Sequence, residues 1–147
     1  DRVVLGGSAT DELELVAAIE QLGAAVVADS LYYGTRAFRP PAVDLSGDAL
    51  QGLARAYLHQ LLCPRMFAGY AARLDYVERA ARGAGAHGVL LVHNKFCDLH
   101  GVDNARLRID LEQRGLPVLV LEKEYGAASD LGRIRTRVQA FLERIGR

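Results

Sequence analysis

The sequence has few of the residues that mark specialised classes of protein. Among 147 residues there are two cysteines, one methionine, four prolines and no tryptophan. Two cysteines do not make the disulfide framework of a small secreted domain, so we expect a cytoplasmic protein with reduced thiols. Basic and acidic residues number 18 each, and the formal net charge is zero. No overall field would therefore gather nucleic acid or an anionic membrane surface.

Long hydrophobic runs are also missing. No apolar run approaches the roughly 20 residues needed to span a bilayer, and the N-terminus lacks the basic and apolar regions of a signal peptide. The hydrophobic fraction is 50% and the charged fraction 24%, as in a soluble globular domain with a real core. The chain begins at Asp1 and enters a strand-like segment within one residue. We therefore expect residues 1–147 to be a single domain taken from a longer polypeptide.

The apolar pattern predicts alternating strands and helices. Four segments are continuously apolar, as strands covered on both faces are: residues 3–5, 24–28, 89–92 and 118–121. Helical patterns occupy residues 11–22, 48–62, 71–82 and 103–114, and a last helix begins at residue 130. The first helix has a possible capping box in Asp11 and Glu14, and glycines at positions 23 and 115 predict helix ends. This order predicts an α/β fold, an open parallel sheet of about four strands with helices on both faces, flavodoxin- or Rossmann-like.

The sheet type predicts where a ligand binds. In open parallel sheets, ligands bind beyond the carboxyl ends of the strands. Four segments follow the predicted strands and are expected to share one rim: residues 6–8, 30–34, 93–102 and 122–129. Residues 30–47 are expected to form a long ordered loop, and loops of that length are usually functional.

Cys97 is the principal candidate for chemistry on this rim. It follows a buried strand by five residues and precedes the predicted helix at Asp103. A helix N-terminus and the neighbouring Lys95 both lower the pKa of a thiol. A structural cysteine prefers apolar neighbours, whereas Asn94, Asp98 and His100 are polar. On these grounds, both interpretations of Cys97 remain, as a buried structural thiol and as a functional one.

Several roles for Cys97 are restricted by spacing. A cluster site needs about four thiolates, and neither C-x-x-C nor C-x₄-C occurs, so a cluster closed within this chain is excluded. One ligand to a site completed elsewhere stays possible. A zinc site with His93 and His100 has no recognised spacing, and a Cys–His nucleophile pair with His100 lacks an orienting group.

Other motifs on the rim have structural readings beside functional ones. Residues 6–8, Gly-Gly-Ser, are more typical of a tight strand-to-helix turn than of a phosphate site. Tyr32, Tyr33 and Arg36 form a candidate substrate rim that would stack on, and pair with, an aromatic or phosphorylated ligand. Cys63 precedes a proline at a helix end, and we interpret it as structural.

Residues 94–104 resemble the cysteine-bearing segment of the benzoyl-CoA reductase and 2-hydroxyacyl-CoA dehydratase family. The resemblance covers nearly the whole chain. Residues 34–38 resemble the family's glycine–small–arginine–aromatic loop, residues 115–122 its last strand and residues 135–143 its closing helix. Residues 123–125 and the length of the cysteine motif are closer to the benzoyl-CoA reductase branch. Tyr32, where many dehydratase-like relatives have a cysteine, points the same way.

The resemblance implies a specific arrangement of subunits and cofactor. This chain would be the C-terminal half of a two-domain subunit that pairs with a homologous second subunit. Each subunit would bind a [4Fe-4S] cluster through three cysteines, with Cys97 as the ligand from this half and the others from the N-terminal domain. Asn94, Lys95, Asp98 and His100 are candidates for the groups around the cluster.

The implied activity is electron delivery at low potential. A separate ATP-hydrolysing iron–sulfur activator would pass single electrons to the cluster, which reduces an acyl-CoA substrate. The outcome is ring reduction in the reductases or loss of water in the dehydratases. No catalytic residue is assigned within this chain.

Two further functions compete with this one. The first alternative is a catalytically silent domain that binds CoA or a partner subunit. The second is a cobalamin- or nucleotide-binding module of similar fold, since Asp98-Leu99-His100 matches part of the cobalamin element D-x-H-x-x-G. Asp103 occupies the position where that element requires glycine, so we treat the match as accidental.

Overall fold

The apolar segments form one parallel sheet. A computed structural model describes residues 1–38, 42–59, 63–65, 67–124 and 130–146. Its strands are β1 (Arg2–Gly7), β2 (Ala25–Ser30), β3 (Gly88–Asn94) and β4 (Val118–Lys123). They lie in the order β2-β1-β3-β4, and every neighbouring pair is parallel. The predicted α/β class and strand number are confirmed.

Helices cover both faces of the sheet. The helices are α1 (Leu13–Gln21), α2 (Thr35–Phe38), α3 (Ala49–His59), α4 (Tyr70–Gly83), α5 (Asp98–Gln113) and α6 (Leu131–Ile145), with a 3₁₀ turn at Phe67–Gly69. Successive strand residues point to opposite faces. Val3 and Leu5 of β1 pack in one core with α1 and α6, while Val4 packs in the other with α4 and α5.

The last helix follows its apolar pattern. Its buried side chains are Ile134, Val138, Phe141 and Leu142. These positions recur every three or four residues, so they form one stripe facing the sheet. The arginines of the opposite side are exposed, and Arg137 donates to the carbonyl of Val120 at 2.9 Å.

The first helix begins differently from the prediction. Asp11 and Glu14 make no capping box, because the N-cap is Glu12 and no side-chain cap bond forms there. The Glu12 carboxylate instead accepts a hydrogen bond from Lys123 Nζ at 2.8 Å. The side chain of the N-cap residue thus forms an ion pair with the end of β4 and not a cap on its own helix. Gly23, at φ 87°, ends the helix as predicted.

The predicted start of α5 at residue 103 is wrong. The helix begins at Asp98, directly after Cys97. A glycine inside a helix costs about 1 kcal/mol relative to alanine, yet α5 continues through Gly101. The position where a side chain at residue 101 would begin lies 3.9 Å from His93 Nε2, an ordinary contact distance.

The long segment after β2 is not entirely a loop. Residues 35–38 form the short helix α2, and residues 39–41 lie outside the described part. The predicted helix at residues 48–62 is present as Ala49–His59, and residues 60–62 also lie outside the described part.

Among the described residues, no helix has the length and apolar character that crossing a membrane requires.

Candidate functional site

A cleft of about 260 Å³ opens at the carboxyl end of the sheet. In the sheet, β2 lies on one side of β1 and β3 on the other, so the direction of the connections reverses between β1 and β3. Sheets of this type bind ligands at such a switch point. The cleft is lined by Ser8, Ala9, Tyr32, Tyr33, Cys63, Pro64, Arg65, Asn94, Cys97, Leu99 and His100. Three of the four predicted rim segments contribute to this lining.

Residues 122–124, the described part of the fourth predicted rim segment, are not among the residues that line the cleft. The backbone N–H of Lys95 donates to the carbonyl of Lys123 at 2.7 Å, which extends the ladder between β3 and β4. Residues 125–129 lie outside the described part. Among the described residues, a larger depression of about 560 Å³ is lined by positions between Ala42 and His59.

Cys97 lies where β3 turns into α5. It is the N-cap residue of α5, and its carbonyl accepts the N–H of Gly101 at 2.9 Å. Its own N–H donates to the carbonyl of Asn94 at 3.0 Å and closes the turn. Phe96 makes this turn at φ 66°, a conformation costing roughly 1–2 kcal/mol for a side chain of this kind. The strained turn brings the partly exposed thiol to a helix N-terminus, where negative charge is stabilised.

Asn94 connects the ends of β1 and β3 beneath the cleft. It is 2% exposed, its N–H donates to Ser8 Oγ at 3.2 Å, and its amide donates to the carbonyl of Ala9 at 3.3 Å. Its Oδ1 is buried with no hydrogen-bond partner in the described ranges. Asn94 therefore joins the two strand ends through its N–H groups, while its amide oxygen is buried without a partner in the described ranges.

The glycine that ends β1 allows two strands to approach closely. Gly7 has φ 117°, and a side chain there would overlap the backbone of Val92 on β3. Ser8 N–H donates to the carbonyl of Val92 at 2.8 Å. The close approach of β1 and β3 requires a glycine at position 7, which accounts for the motif without a phosphate.

The aromatic pair on the β2 loop lines the cleft. The rings of Tyr32 and Tyr33 meet edge to face, with centroids 5.9 Å apart. The Arg36 guanidinium lies 5.2 Å from the centroid of the Tyr32 ring. Arg36 itself faces a smaller cavity of about 20 Å³ beneath the cleft, which it shares with Asn104 and His100. The structure therefore places the two tyrosines at the cleft and the arginine below it.

Cys63 lines the same cleft as Cys97. It is 8% exposed, and burial raises the pKa of its thiol. Hydrogen bonds from Arg65 and the charges of Arg65 and Arg36 outweigh burial, so the pKa lies below its ordinary value. Arg65 Nη2 also donates to the Tyr32 hydroxyl at 3.4 Å. Our interpretation of Cys63 as structural missed its position in this wall.

His100 is the buried imidazole of the site. Burial, with the Arg36 charge as the next cause, lowers its pKa to about 4, so the ring is neutral at neutral pH. It lines both the cleft and the smaller cavity. Asn104, 0% exposed, faces the same small cavity, and neither polar atom of its side chain has a partner within the described part of the chain.

Lys95 and Asp98 point away from the cleft lining. Lys95 Nζ donates to Glu124 at 2.8 Å, and this carboxylate raises the pKa of the lysine. Asp98 is exposed in the first turn of α5, where its charge favours the helix N-terminus. Both lie within two residues of Cys97 in the sequence. The side chain of Asp98 lies at the start of α5, and that of Lys95 binds Glu124 after β4.

Sequence reasoning missed a buried ion pair behind the cleft. Arg73 Nη2 lies 2.6 Å from Asp103 Oδ1, with the two side chains 6% and 9% exposed. A signal existed, because Arg73 lies on the stripe of α4 formed with Val77 and Ala81. Asp103 lies on the stripe of α5 formed with Leu107 and Leu111. Charges of opposite sign on two apolar stripes indicate a buried pair.

Fold and site together define a parallel α/β domain with a thiol-lined cleft at its switch point. The family model described as "2-hydroxyglutaryl-CoA dehydratase, D-component" matches residues 1–145. The chain belongs to this family. The recognition made from residues 94–104 is thereby confirmed at the level of the family, while the benzoyl-CoA reductase branch stays a prediction.

Two curated relatives align along most of the chain. One is the (R)-phenyllactyl-CoA dehydratase beta subunit of Clostridium sporogenes, 25% identical over 142 residues, which cover 97% of this chain and 37% of that protein. The other is the lactoyl-CoA dehydratase subunit beta of Anaerotignum propionicum, also 25% identical over 142 residues, covering 97% of this chain and 38% of that protein. The chain thus spans less than two fifths of the length of these relatives.

Proposed function

We propose that this chain is the C-terminal domain of a 2-hydroxyacyl-CoA dehydratase subunit and that Cys97 is its ligand to a [4Fe-4S] cluster. The supporting observation is the position of the Cys97 thiol, at the N-terminus of α5 and in the cleft at the switch point. A cysteine thiolate is the ligand that iron–sulfur clusters prefer.

The residues present fit one corner of such a site. Within the described ranges, no group of three or more His, Cys, Asp or Glu side chains is placed to hold a metal ion. One thiolate in an open cleft suits a cluster whose other ligands come from a separate segment, which we infer to be the N-terminal domain. The backbone N–H groups of the first turn of α5 are the donors that such a site offers to cluster sulfurs.

The chain's own residues would anchor and shape the site. When bound, the cluster supplies one-electron chemistry, whose potential depends on hydrogen bonds to its sulfurs and on burial. Cys97 is held by the turn from Asn94 and is the N-cap residue of α5. His100 is neutral at neutral pH and adds no positive charge beside the thiolate.

The proposed substrate is the CoA thioester of a 2-hydroxy acid. The two relatives are named for phenyllactyl-CoA and lactoyl-CoA, so the acyl group they share is a 2-hydroxyacyl group. These names favour loss of water over ring reduction. Tyr32 and residues 123–125 had indicated the reductase branch, and Tyr125 lies outside the described part of the chain. We keep ring reduction of an aromatic CoA thioester as an outcome of the test.

The relatives' names also suggest an assembly. Both are beta subunits, which supports a complex with a different, homologous subunit. We further propose an ATP-hydrolysing iron–sulfur activator as the electron donor, as the family resemblance implies.

The cluster is tested by anaerobic reconstitution of the full-length protein with iron and sulfide. We expect Cys97→Ser to lose most of the bound iron and the visible absorption of the cluster. Cys63→Ser, a change at the other thiol of the same cleft, is the matched control and should keep both. Unchanged iron and spectrum in Cys97→Ser would refute the proposal and favour a silent CoA- or partner-binding domain.

The substrate is tested with the complete complex, its activator and ATP. We expect water loss from a 2-hydroxyacyl-CoA, measured as formation of the enoyl-CoA. Reduction of benzoyl-CoA without dehydration of phenyllactyl-CoA or lactoyl-CoA would assign the reductase branch instead. A coloured complex formed with cobalamin would overturn the assignment altogether.

A further inference from the structure

We propose that Arg73 is a positioning residue, which fixes the wall formed by residues 63–65 relative to the helix that begins at Cys97. This inference deepens the proposed function and rests on it for its importance to a bound cluster. Its structural content concerns the chain alone.

Arg73 is a charge buried between two helices. It lies in the first turns of α4, and its Nε donates to the two carboxylate oxygens of Asp103 at 3.2 and 3.0 Å, while Nη2 donates to Oδ1 at 2.6 Å. Buried charges are tolerated when they are paired and hydrogen-bonded. This pairing therefore holds α4 against the second turn of α5.

The same guanidinium reaches a third segment. Arg73 Nη1 donates to the backbone carbonyl of Cys63 at 3.1 Å, and this contact is also buried. A planar guanidinium presents several donors in a rigid fork, so it can bind a carboxylate and a carbonyl at once. A lysine ammonium is a single point charge. It would keep the contact with the Asp103 carboxylate and lose the contact with the Cys63 carbonyl.

The carbonyl contact fixes one wall of the cleft. Cys63, Pro64 and Arg65 all line the cleft, and Pro64 has no N–H with which to anchor the backbone. Arg65 extends from this wall to the Cys63 thiol and the Tyr32 hydroxyl. A continuous set of contacts therefore runs from α5 through Arg73 and the wall to the β2 loop.

These contacts surround Cys97 without touching it. Asp103 lies six residues after Cys97 on the same helix, a rise of about 9 Å. Because Arg73 binds Asp103 and Cys63 together, the N-terminal half of α5 and the opposite wall keep a constant separation. That separation sets the room beside the Cys97 thiol.

The test is Arg73→Lys in the full-length protein, with Arg82→Lys as its matched control. Arg82 lies on the same helix and likewise binds a carboxylate, Glu78, and a carbonyl, that of Arg114, but it is exposed and away from the cleft. Alkylation of Cys63 by iodoacetamide is followed by peptide mass spectrometry. We expect Arg73→Lys to accelerate it about tenfold, the factor that loss of one hydrogen bond gives a local opening equilibrium. Arg82→Lys should leave the rate unchanged.

Asp103→Asn separates positioning from general stability. This variant removes the charge at position 103 but keeps Oδ1 as an acceptor for Arg73, so the link between α5 and the wall persists, as does the donor to the Cys63 carbonyl. We expect Cys63 alkylation to stay within about twofold of the wild type, since no hydrogen bond of the wall is lost. Hydrogen exchange should rise in residues 98–104 and not in β3.

The outcomes are separable. If Arg73→Lys leaves Cys63 alkylation unchanged, or if Asp103→Asn accelerates it equally, Arg73 has only a structural role and the inference is overturned. Alkylation is read without iron or substrate, so it stands even if Cys97→Ser proves that no cluster is bound.

Discussion

The two ends of the parallel sheet differ in what they bury. Within the described ranges, the buried polar residues lie at the carboxyl end of the sheet or in the turns beside it: Ser8, Thr10, Ser30, Arg73, Asn94, His100, Asp103, Asn104 and Lys123. At the amino end, polar contacts such as Arg2 with the Ala84 carbonyl and His87 with Asp1 are exposed. Buried polar groups cost free energy unless they are bonded. The carboxyl end, where we propose the binding site, therefore holds the buried polar groups of the described ranges, and the amino end keeps its polar contacts exposed.

The largest expected effect that tests this comparison is at Arg73. Arg73→Ala leaves the buried Asp103 carboxylate unpaired, and we expect it to lower the free energy of unfolding by about 3–5 kcal/mol. Arg2→Ala, at the amino end, removes an exposed contact with Ala84 and should cost about 1 kcal/mol or less. Urea denaturation measures both. Equal losses would mean that the two ends do not differ in how they use arginine.

Glycines at the two ends provide the second comparison. Gly7→Ala places a side chain at φ 117° against the Val92 backbone, and we expect a loss of about 3 kcal/mol. Gly85→Ala, at φ 58° in the turn before β3, should cost about 1 kcal/mol, since the nearest atom to a new side chain is 3.9 Å away. Thermal unfolding distinguishes them. A Gly7 variant as stable as the Gly85 variant would show that β1 and β3 can separate at their carboxyl ends.

Acid should weaken the carboxyl end through His100. Its pKa is about 4 in the folded chain and 6.5 ordinarily, so the unfolded chain binds a proton first as the pH falls. Stability is therefore complete above pH 6.5 and declines toward pH 4, by about 3 kcal/mol from this group. His100→Gln should remove this part of the slope in denaturation measured across that window. A slope that survives the substitution would assign the acid sensitivity to other groups.

The smallest effect is expected at Asn104. Asn104→Leu replaces a buried amide that has no partner in the described part of the chain, and it should stabilise the fold by about 1 kcal/mol. Asn94→Leu loses the bond to the Ala9 carbonyl and should destabilise by a similar amount, about 1 kcal/mol. Denaturant midpoints compare the two. Destabilisation by Asn104→Leu would indicate that a water or another group binds that amide.

Much of the fold could be predicted because the buried face of a strand or helix shows in the spacing of apolar residues along the sequence. Residues 89–92 are apolar without interruption because β3 is covered on both faces, and they are 0% exposed. The stripe of α6 repeats at the helical period for the same reason. Prediction failed at two helix starts. Glu12 rather than Asp11 is the N-cap of α1, and its carboxylate binds the distant Lys123. Helix α5 begins at Asp98 and continues through Gly101.

The candidate site divides in the same way. The position of Cys97 after a central strand places it at the carboxyl edge, and pattern alone sufficed for that. Cys63 follows the helical pattern of residues 48–62, and nothing in that pattern predicts that its side chain lines the cleft. Its place there depends on Arg73, ten residues later, and on Asp103, a further thirty along the chain.

By itself, the sequence determined the strands, the parallel sheet, the apolar face of the last helix and the edge on which Cys97 lies, since each follows from the spacing of neighbouring residues. Tertiary structure decided that Cys63 and Cys97 line one cleft, that Arg36 lies beneath it and that Arg73 binds Asp103. These relations join segments that are far apart in the chain. They depend on how helices pack on the sheet, and no local spacing encodes them.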